Sequence, residues 1–190
     1  MKKGLIILSA PSGAGKTTIA RHLLDSGLGL EFSVSACSRS MRAGEVEGKH
    51  YYFLTVPEFK KRIEEGDFIE WEEVYPEHFY GTLKSEIDRI QSAGHGVLFD
   101  VDVKGGISLK QKFGEAALSI FIMPPSLDVL RERLTGRGTD SPDKIELRLA
   151  KARTEMEDAP HFDRIIINDQ LETAAREAVN VVKEFLHGQP

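Results

Sequence analysis

Ten residues near the start of the chain, SAPSGAGKTT, have the types and the spacing of a loop that binds phosphate. Gly13 and Gly15 allow the backbone to direct its N–H groups inwards, and Lys16 can reach the β- and γ-phosphates of a nucleotide. The hydroxyl of Thr17 can bind Mg²⁺. We call residues 9–18 the phosphate loop, in which the predicted nucleotide-binding residues are Ser12, Gly13, Ala14, Gly15, Lys16, Thr17 and Thr18.

One position of this loop departs from the motif G-x-x-x-x-G-K-[ST], because Ala10 replaces the first glycine. Alanine can stand there where φ is negative. The alternative is a glycine-rich turn that contains a lysine by chance. A hydrolase nucleophile at Ser12 is disfavoured, because its flanking positions hold Ala10 and Ala14 rather than glycines.

Two carboxylates at the end of the apolar segment GVLFDVD are candidates for a metal site. A carboxylate at the end of a buried strand can bind Mg²⁺, or its water, beside the loop threonine. Asp100 lies closer to the predicted strand end than Asp102. We therefore predict Thr17 and Asp100 as the Mg²⁺ ligands, directly or through water, with a solvated strand terminus as the alternative.

Two further segments concentrate arginine in an otherwise acidic chain. The segment SRSMRAGEVEGKHYY places Arg39 and Arg42 three residues apart, with Tyr51 nearby. Arginine binds phosphate oxygens bidentately and tyrosine adds a hydroxyl, so a small anionic ligand is predicted, with a solvated charged loop as the alternative. The second segment contains LRERLTGRG and continues to Arg148. It can close over the phosphates if it is mobile. Its arginines are Arg131, Arg133, Arg137 and Arg148.

The elements that position these residues alternate between apolar strands and amphipathic helices. Strands are predicted at residues 4–8, 32–36, 49–54, 67–75, 96–102, 117–123 and 163–169. Helices are predicted at residues 16–25, 55–65, 83–93, 126–134, 142–159 and 171–186. This order predicts an α/β fold with a central parallel sheet. Residues 35–85 and 127–159 interrupt the alternation and are predicted to be insertions.

The composition limits the partners and the compartment. The 190 residues carry a net charge of −5, which disfavours a nucleic-acid partner. The single cysteine, Cys37, excludes an intrachain disulfide and favours a reducing compartment. The apolar run Leu5–Leu8 is shorter than the ~7–15 residues of a signal peptide, and no run reaches the ~18 of a membrane span. We expect a cytoplasmic protein without a membrane partner, either a monomer or a homo-oligomer.

The chain resembles the bacterial guanylate kinases from end to end. The segments that carry the resemblance are SAPSGAGKTT, FSVSACSRSMRAGEVEGKHYYF, FIEW, FYGT, LFDVDVKGG, PPSLDVLRERLTGRGTDS and IINDQL. The resemblance implies a three-layer P-loop core with a nucleoside-monophosphate-binding insertion and a helical lid. It also implies the Mg²⁺-dependent reaction of ATP with GMP or dGMP. The implied domains are a core of residues 1–34, 86–126 and 160–190, a GMP-binding domain of residues 35–85 and a lid of residues 127–159.

The resemblance also implies roles for individual residues. Those that hold GMP would be Ser35, Arg39, Arg42, Tyr51, Glu70, Tyr80, Thr82 and Asp100. Those on the ATP side, besides the phosphate loop, would be Arg133 and Asn168. The catalytic residues would be Lys16, Arg39, Arg42, Arg137 and Arg148. Glu70 suits guanine, because one carboxylate can accept hydrogen bonds from both N1–H and the N2 amino group, whereas adenine presents a lone pair at N1.

Two departures from the family pattern concern the acceptor side. Between Arg39 and Arg42 this chain has Ser40 and Met41, without the proline that relatives often carry, and Lys104 replaces a frequent glutamine. Two alternative functions are a P-loop kinase acting on a ribose phosphate and a non-catalytic guanylate-kinase-like binding module. The guanine set argues against the first alternative, and the intact phosphate loop argues against the second.

Overall fold

The computed structural model describes residues 4–136, 138 and 140–188. Its strands are β1 (Leu5–Ser9), β2 (Leu30–Phe32), β3 (Ala36–Cys37), β4 (Tyr52–Phe53), β5 (Phe68–Tyr75), β6 (His78–Leu83), β7 (Gly96–Asp100), β8 (Ala117–Met123) and β9 (Arg164–Ile167). Its helices are α1 (Lys16–Asp25), α2 (Val56–Glu64), α3 (Lys84–Ser92), α4 (Val103–Phe113), α5 (Leu127–Gly136), α6 (Pro142–Glu157) and α7 (Leu171–Gly188). No helix in these ranges is long and apolar enough to cross a membrane.

The central sheet is parallel and has the strand order β2-β7-β1-β8-β9. Successive residues of β1 point to opposite faces. Ile6 and Leu8 pack against α1 and α7, whereas Leu5 and Ile7 pack against α3 and α4. Helices therefore cover both faces, and the predicted three-layer α/β fold with a central parallel sheet is confirmed.

A second sheet, with the order β4-β3-β6-β5, forms within the predicted insertion of residues 35–85. Its core is aromatic. The Phe59 ring of α2 stacks on Phe68 at a centroid distance of 4.3 Å and on Phe79 at 5.5 Å. Helix α2 begins as predicted with a capping box, in which Thr55 and Glu58 accept each other's backbone N–H.

Helices α5 and α6 form a pair that packs together through Leu130, Leu134, Ile145 and Leu149. The hydroxyl of Ser126 accepts the N–H of Val129 at 3.2 Å, which confirms the predicted start of α5. The pair packs against the phosphate loop, because a Cβ atom added at Gly13 would lie 2.9 Å from Leu134 Cδ2.

Several predicted elements differ from those observed. The predicted strand 32–36 is divided between β2 and β3, which belong to different sheets, and the predicted strand 49–54 is reduced to β4. Strand β6 and helix α4 were not predicted. Gly81 weakens the strand pattern, and the adjacent Gly105 and Gly106 weaken the helix pattern. A Cβ atom at Gly106 would collide with Ser9 Oγ, so tertiary contact requires glycine there against local propensity.

Candidate functional site

The phosphate loop connects β1 to α1 through two glycines in the left-handed conformation. Gly13 and Gly15 both have φ of 96°, and Gly15 is the N-cap residue of α1. Among the residues that the structure describes, Glu77 is the one non-glycine residue with positive φ, at 61°. Ala10 therefore has the negative φ that its place in the motif requires. The free N–H groups of the first turn of α1 suit an anion.

Asn168, just beyond β9, supports the back of the phosphate loop. Its Nδ2 donates to the Ala14 carbonyl at 2.7 Å, and the side chain closely approaches Gly15, where a Cβ atom would collide with it. Nη2 of Arg133 in turn donates to the carbonyls of Asn168 at 2.8 Å and Asp169 at 3.2 Å. These two predicted ATP-side residues thus connect the loop, β9 and α5.

Lys16 links the phosphate loop to the end of β7. Its Nζ donates to the Val101 carbonyl at 2.8 Å and forms an ion pair with Asp100. Asp102, the other candidate carboxylate, is instead the N-cap residue of α4 and accepts the Gly105 N–H at 2.8 Å. Of the two carboxylates, Asp100 is therefore the one whose side chain pairs with the loop lysine.

A cavity of about 670 Å³ extends from the phosphate loop to the four-stranded sheet. Its wall contains nine of the predicted site residues, which are Ser12, Lys16, Thr17, Ser35, Tyr51, Glu70, Tyr80, Asp100 and Arg148. A smaller cavity of about 340 Å³ lies over the loop itself, and its wall includes Gly13, Gly15 and Thr18. The tertiary structure thus brings together residues that are far apart in the chain.

Glu70 lies in the wall of the larger cavity, and the buried Thr82 is its neighbour on the adjacent strand. They face each other across the antiparallel pairing of β5 and β6, and the Thr82 hydroxyl donates to Glu70 Oε1 at 2.7 Å. Burial raises the pKa of Glu70, and the nearby carboxylates of Asp102 and Glu72 raise it further, while the Thr82 hydrogen bond opposes them. The arrangement presents one half-buried carboxylate to a ligand with hydrogen-bond donors.

Arg39 lies beside the cavity rather than on its wall. Its guanidinium donates to both carboxylate oxygens of Glu45, at 2.7 and 2.5 Å, and lies 5.0 Å from the centroid of the Tyr51 ring. Tyr51 meets Tyr80 edge to face at 5.9 Å. The hydrogen bonds from Arg39 and from the Arg42 N–H lower the pKa of Glu45 to about 2. The Arg42 side chain is exposed, and it does not line either cavity.

Helix α6 brings charged residues close to the phosphate loop. Nη1 of Arg148 donates to the Ser12 hydroxyl at 3.1 Å, so this predicted site residue lies beside the phosphate loop. Lys151 and Glu155, which were not predicted, line the smaller cavity. Their spacing of three and seven residues from Arg148 places them on the same helix face, and this spacing was a signal in the sequence. Arg137, predicted to be catalytic, lies outside the described residues.

Glu72 is a further carboxylate in the wall of the larger cavity, and it was not predicted from the sequence. It follows Glu70 by two residues, so both side chains lie on the same face of β5. Nζ of Lys104 donates to Glu72 Oε1 at 3.2 Å. Lys104 therefore pairs with a carboxylate in the wall of the larger cavity.

The residues near the loop suit a metal ion that arrives with a nucleotide. Thr17 and Asp100 line the same cavity and supply one hydroxyl and one carboxylate. No cluster of three or more histidine, cysteine, aspartate or glutamate residues able to hold a metal occurs in the described part of the chain. Mg²⁺ keeps water and phosphate ligands and needs few protein groups, so this donor set fits it.

The fold and the site together define a P-loop nucleotide kinase. The family model described as Guanylate kinase matches residues 2–187. A guanylate kinase of Bacteroides thetaiotaomicron is 55% identical over 183 residues, covering 96% of this chain and 90% of that protein. One of Salinibacter ruber is 45% identical over 184 residues, covering 97% of each. The crystal structure of guanylate kinase from Anaplasma phagocytophilum has a TM-score of 0.76 at 30% identity, covering 97% of this chain and 86% of that one. The chain belongs to the guanylate kinase family.

Proposed function

We propose that this chain transfers the γ-phosphoryl group of ATP reversibly to GMP, and to dGMP, in a Mg²⁺-dependent reaction. One observation carries the proposal: the wall of a single cavity contains both the phosphate-loop Lys16 and Glu70, whose carboxylate accepts the Thr82 hydroxyl. A phosphate donor and a base with adjacent N–H donors would thus meet in one space. The guanine edge, with N1–H and N2 amino groups, matches the Glu70 carboxylate.

The acceptor end would hold GMP by its base and by its phosphate. Ser35, Glu70 and Thr82 would bind the guanine, and Asp100 would be a further GMP-binding residue. The GMP phosphate would be held by Arg39, Arg42, Tyr51 and Tyr80. The proximity of Arg39, Tyr51 and Tyr80 supports this role, because a guanidinium and two hydroxyls can surround one phosphate.

The chemistry would need no general base, because the attacking group is already an anionic phosphate oxygen. Catalysis would come from alignment and from neutralisation of charge on the transferring group. Lys16, Arg148 and Arg137 would supply the positive charge, while Arg39 and Arg42 orient the acceptor. Mg²⁺ held through Thr17 and Asp100 would supply charge neutralisation on the ATP phosphates. Arg133 and Asn168 would support the ATP side.

The domain division implied by the family fits this reaction. We propose residues 1–34, 86–126 and 160–190 as the core, residues 35–85 as the GMP-binding domain and residues 127–159 as the lid. The contact of Arg148 with Ser12 supports a lid that reaches the phosphate loop. Closure of both insertions would exclude water and so suppress ATP hydrolysis.

A coupled ADP-release assay tests the proposal. Mg·ATP is supplied with GMP, dGMP, AMP, CMP, UMP, dTMP or ribose bisphosphate, and the expected result is turnover with GMP and dGMP alone. Turnover with the sugar phosphate alone would retain the phosphate loop and contradict the guanine site. Folded protein that turns over no acceptor would indicate a binding module.

A further inference from the structure

A buried carboxylate, Glu86, lies where the chain passes between the two sheets. It is in the first turn of α3, through which the chain returns to the central sheet, and it is only 2% exposed. A charged group this deeply buried requires hydrogen-bond partners to offset its lost hydration. Glu86 does not line either cavity described above, so its burial needs another explanation.

Glu86 accepts hydrogen bonds from the segment that leaves the central sheet and from a strand of the second sheet. Its Oε1 accepts the backbone N–H of Val34 at 3.0 Å, in the segment that leaves β2 for β3. Its Oε2 accepts the Tyr52 hydroxyl at 2.9 Å, from β4 of the four-stranded sheet. One side chain thus connects the outgoing segment, the returning helix and the second sheet.

Arg89 anchors this carboxylate to the central sheet. Its Nε and Nη2 donate to Glu86 at 3.0 and 2.9 Å, and its Nη1 donates to Glu31 of β2 at 2.6 Å. Burial alone raises the pKa of Glu86, but the hydrogen bonds from Arg89, Val34 and Tyr52 outweigh it, and the pKa is lower than the ordinary value. The group is therefore a carboxylate at neutral pH and accepts from all three.

Val34 and Tyr52, the two residues other than Arg89 that contact Glu86, are neighbours of the acceptor site. Val34 directly precedes Ser35, and Tyr52 directly follows Tyr51; both Ser35 and Tyr51 line the larger cavity. The Tyr52 N–H also donates to the Ser35 carbonyl at 2.9 Å. A shift at either contact would therefore be transmitted along the backbone to a cavity residue.

We propose that Glu86 is a positioning residue for the acceptor nucleotide, holding Ser35 and Tyr51 in register with the phosphate loop. This inference rests on the proposed function, since GMP is the acceptor whose binding it would tune. Glu86 acts through Val34 and Tyr52 and does not itself touch the substrate. ATP binding should not depend on it, because none of the partners of Glu86 lies in the phosphate loop.

The decisive variant is Tyr52→Phe, which removes one hydroxyl and retains the ring. Its expected effect is a rise of about fivefold to tenfold in KM for GMP, with kcat and KM for ATP changed by less than about twofold. The matched control is Tyr75→Phe, which removes a hydroxyl from a tyrosine that is 68% exposed on β5. The control should leave all three constants unchanged.

A second variant, Glu86→Gln, places an amide donor among groups that are themselves donors. It should raise KM for GMP further and lower Tm, and adding Tyr52→Phe to it should cost little more because both changes break the same contact. If Glu86→Gln does not fold, Tyr52→Phe alone decides. A lower Tm with unchanged KM for GMP, or equal changes in both KM values, would overturn the inference. Wild-type protein inactive on GMP would instead contradict the proposed function.

Discussion

The Thr82 hydroxyl donates to Glu70 Oε1 at 2.7 Å across the β5–β6 pairing. The bond orients a carboxylate whose pKa is raised by burial, and it leaves Oε2 on the side of Gly105, where an added Cβ atom would lie 3.5 Å away. A glycine at position 105 therefore keeps space beside the carboxylate. This geometry makes Glu70 the residue whose removal should most affect recognition of the base.

Replacement of Glu70 by glutamine should raise KM for GMP by about a hundredfold and barely change KM for ATP, because an amide can accept only one of the two guanine N–H donors. Steady-state kinetics with each substrate varied in turn will measure both constants. Glu64→Gln, at an exposed carboxylate on α2, is the control. Equal effects on the two substrates would remove Glu70 from base recognition.

The affinity for GMP should depend on pH through Glu70. Its pKa lies above the model-compound value of 4.5, so on acidification the carboxylate is protonated, and loses an acceptor, at a higher pH than an ordinary glutamate. The pKa of Glu45 is lowered to about 2, so the Arg39–Glu45 pair persists through that range. We expect kcat/KM for GMP in wild type to fall on acidification at a higher pH than an ordinary glutamate would cause. The Glu70→Gln variant should lack this acid limb.

Replacement of Lys16 by methionine should lower kcat by about a thousandfold, because a cation placed at the transferring phosphoryl group is lost. GMP binding, followed by calorimetry without ATP, should be nearly unchanged, since Lys16 is not among the residues proposed to hold GMP. Lys183→Met, at an exposed lysine on α7, controls for loss of charge. Loss of GMP binding together with turnover would contradict the assignment of the phosphate loop.

Thr17 of the phosphate loop should set the concentration of Mg²⁺ that the reaction requires. Thr17→Val removes the hydroxyl at nearly constant shape, and we expect the Mg²⁺ concentration for half-maximal rate to rise about tenfold. Thr17→Ser retains the hydroxyl and should behave as wild type. A chelator in excess should abolish turnover in all three proteins. An unchanged Mg²⁺ dependence of Thr17→Val would exclude Thr17 as a ligand.

Two glycines with positive φ offer a matched comparison. Gly15 and Gly27 have φ of 96° and 75°, but an added Cβ atom meets Asn168 at the first and nothing within 4 Å at the second. Gly27→Ala should cost only the strain of the left-handed conformation, about 1 kcal/mol. Gly15→Ala should lower Tm more and also raise KM for ATP. Equal changes of Tm with unchanged kinetics would show that Asn168 does not constrain the loop.

Local sequence was sufficient to predict those features that are formed by residues close together in the chain. The phosphate loop, the capping box at Thr55 and the alternation of strands and helices all depend on residues a few positions apart. The bounds predicted for the strands at residues 32–36 and 49–54 were wrong, because the partners with which a strand pairs decide where it ends. Local propensity also failed for α4, where Gly106 is required by contact with Ser9.

The sequence by itself determined the α/β class, the phosphate loop and, through its motifs, the family. Only the tertiary structure decided that Lys16 and Glu70 share one cavity, that Glu72 and Lys104 pair, and that Glu86 joins the two sheets. The physical reason is the range of the interactions. A helix or a turn is encoded by neighbours in the chain, whereas a buried carboxylate is defined by donors that come from distant segments and meet only when the sheets assemble.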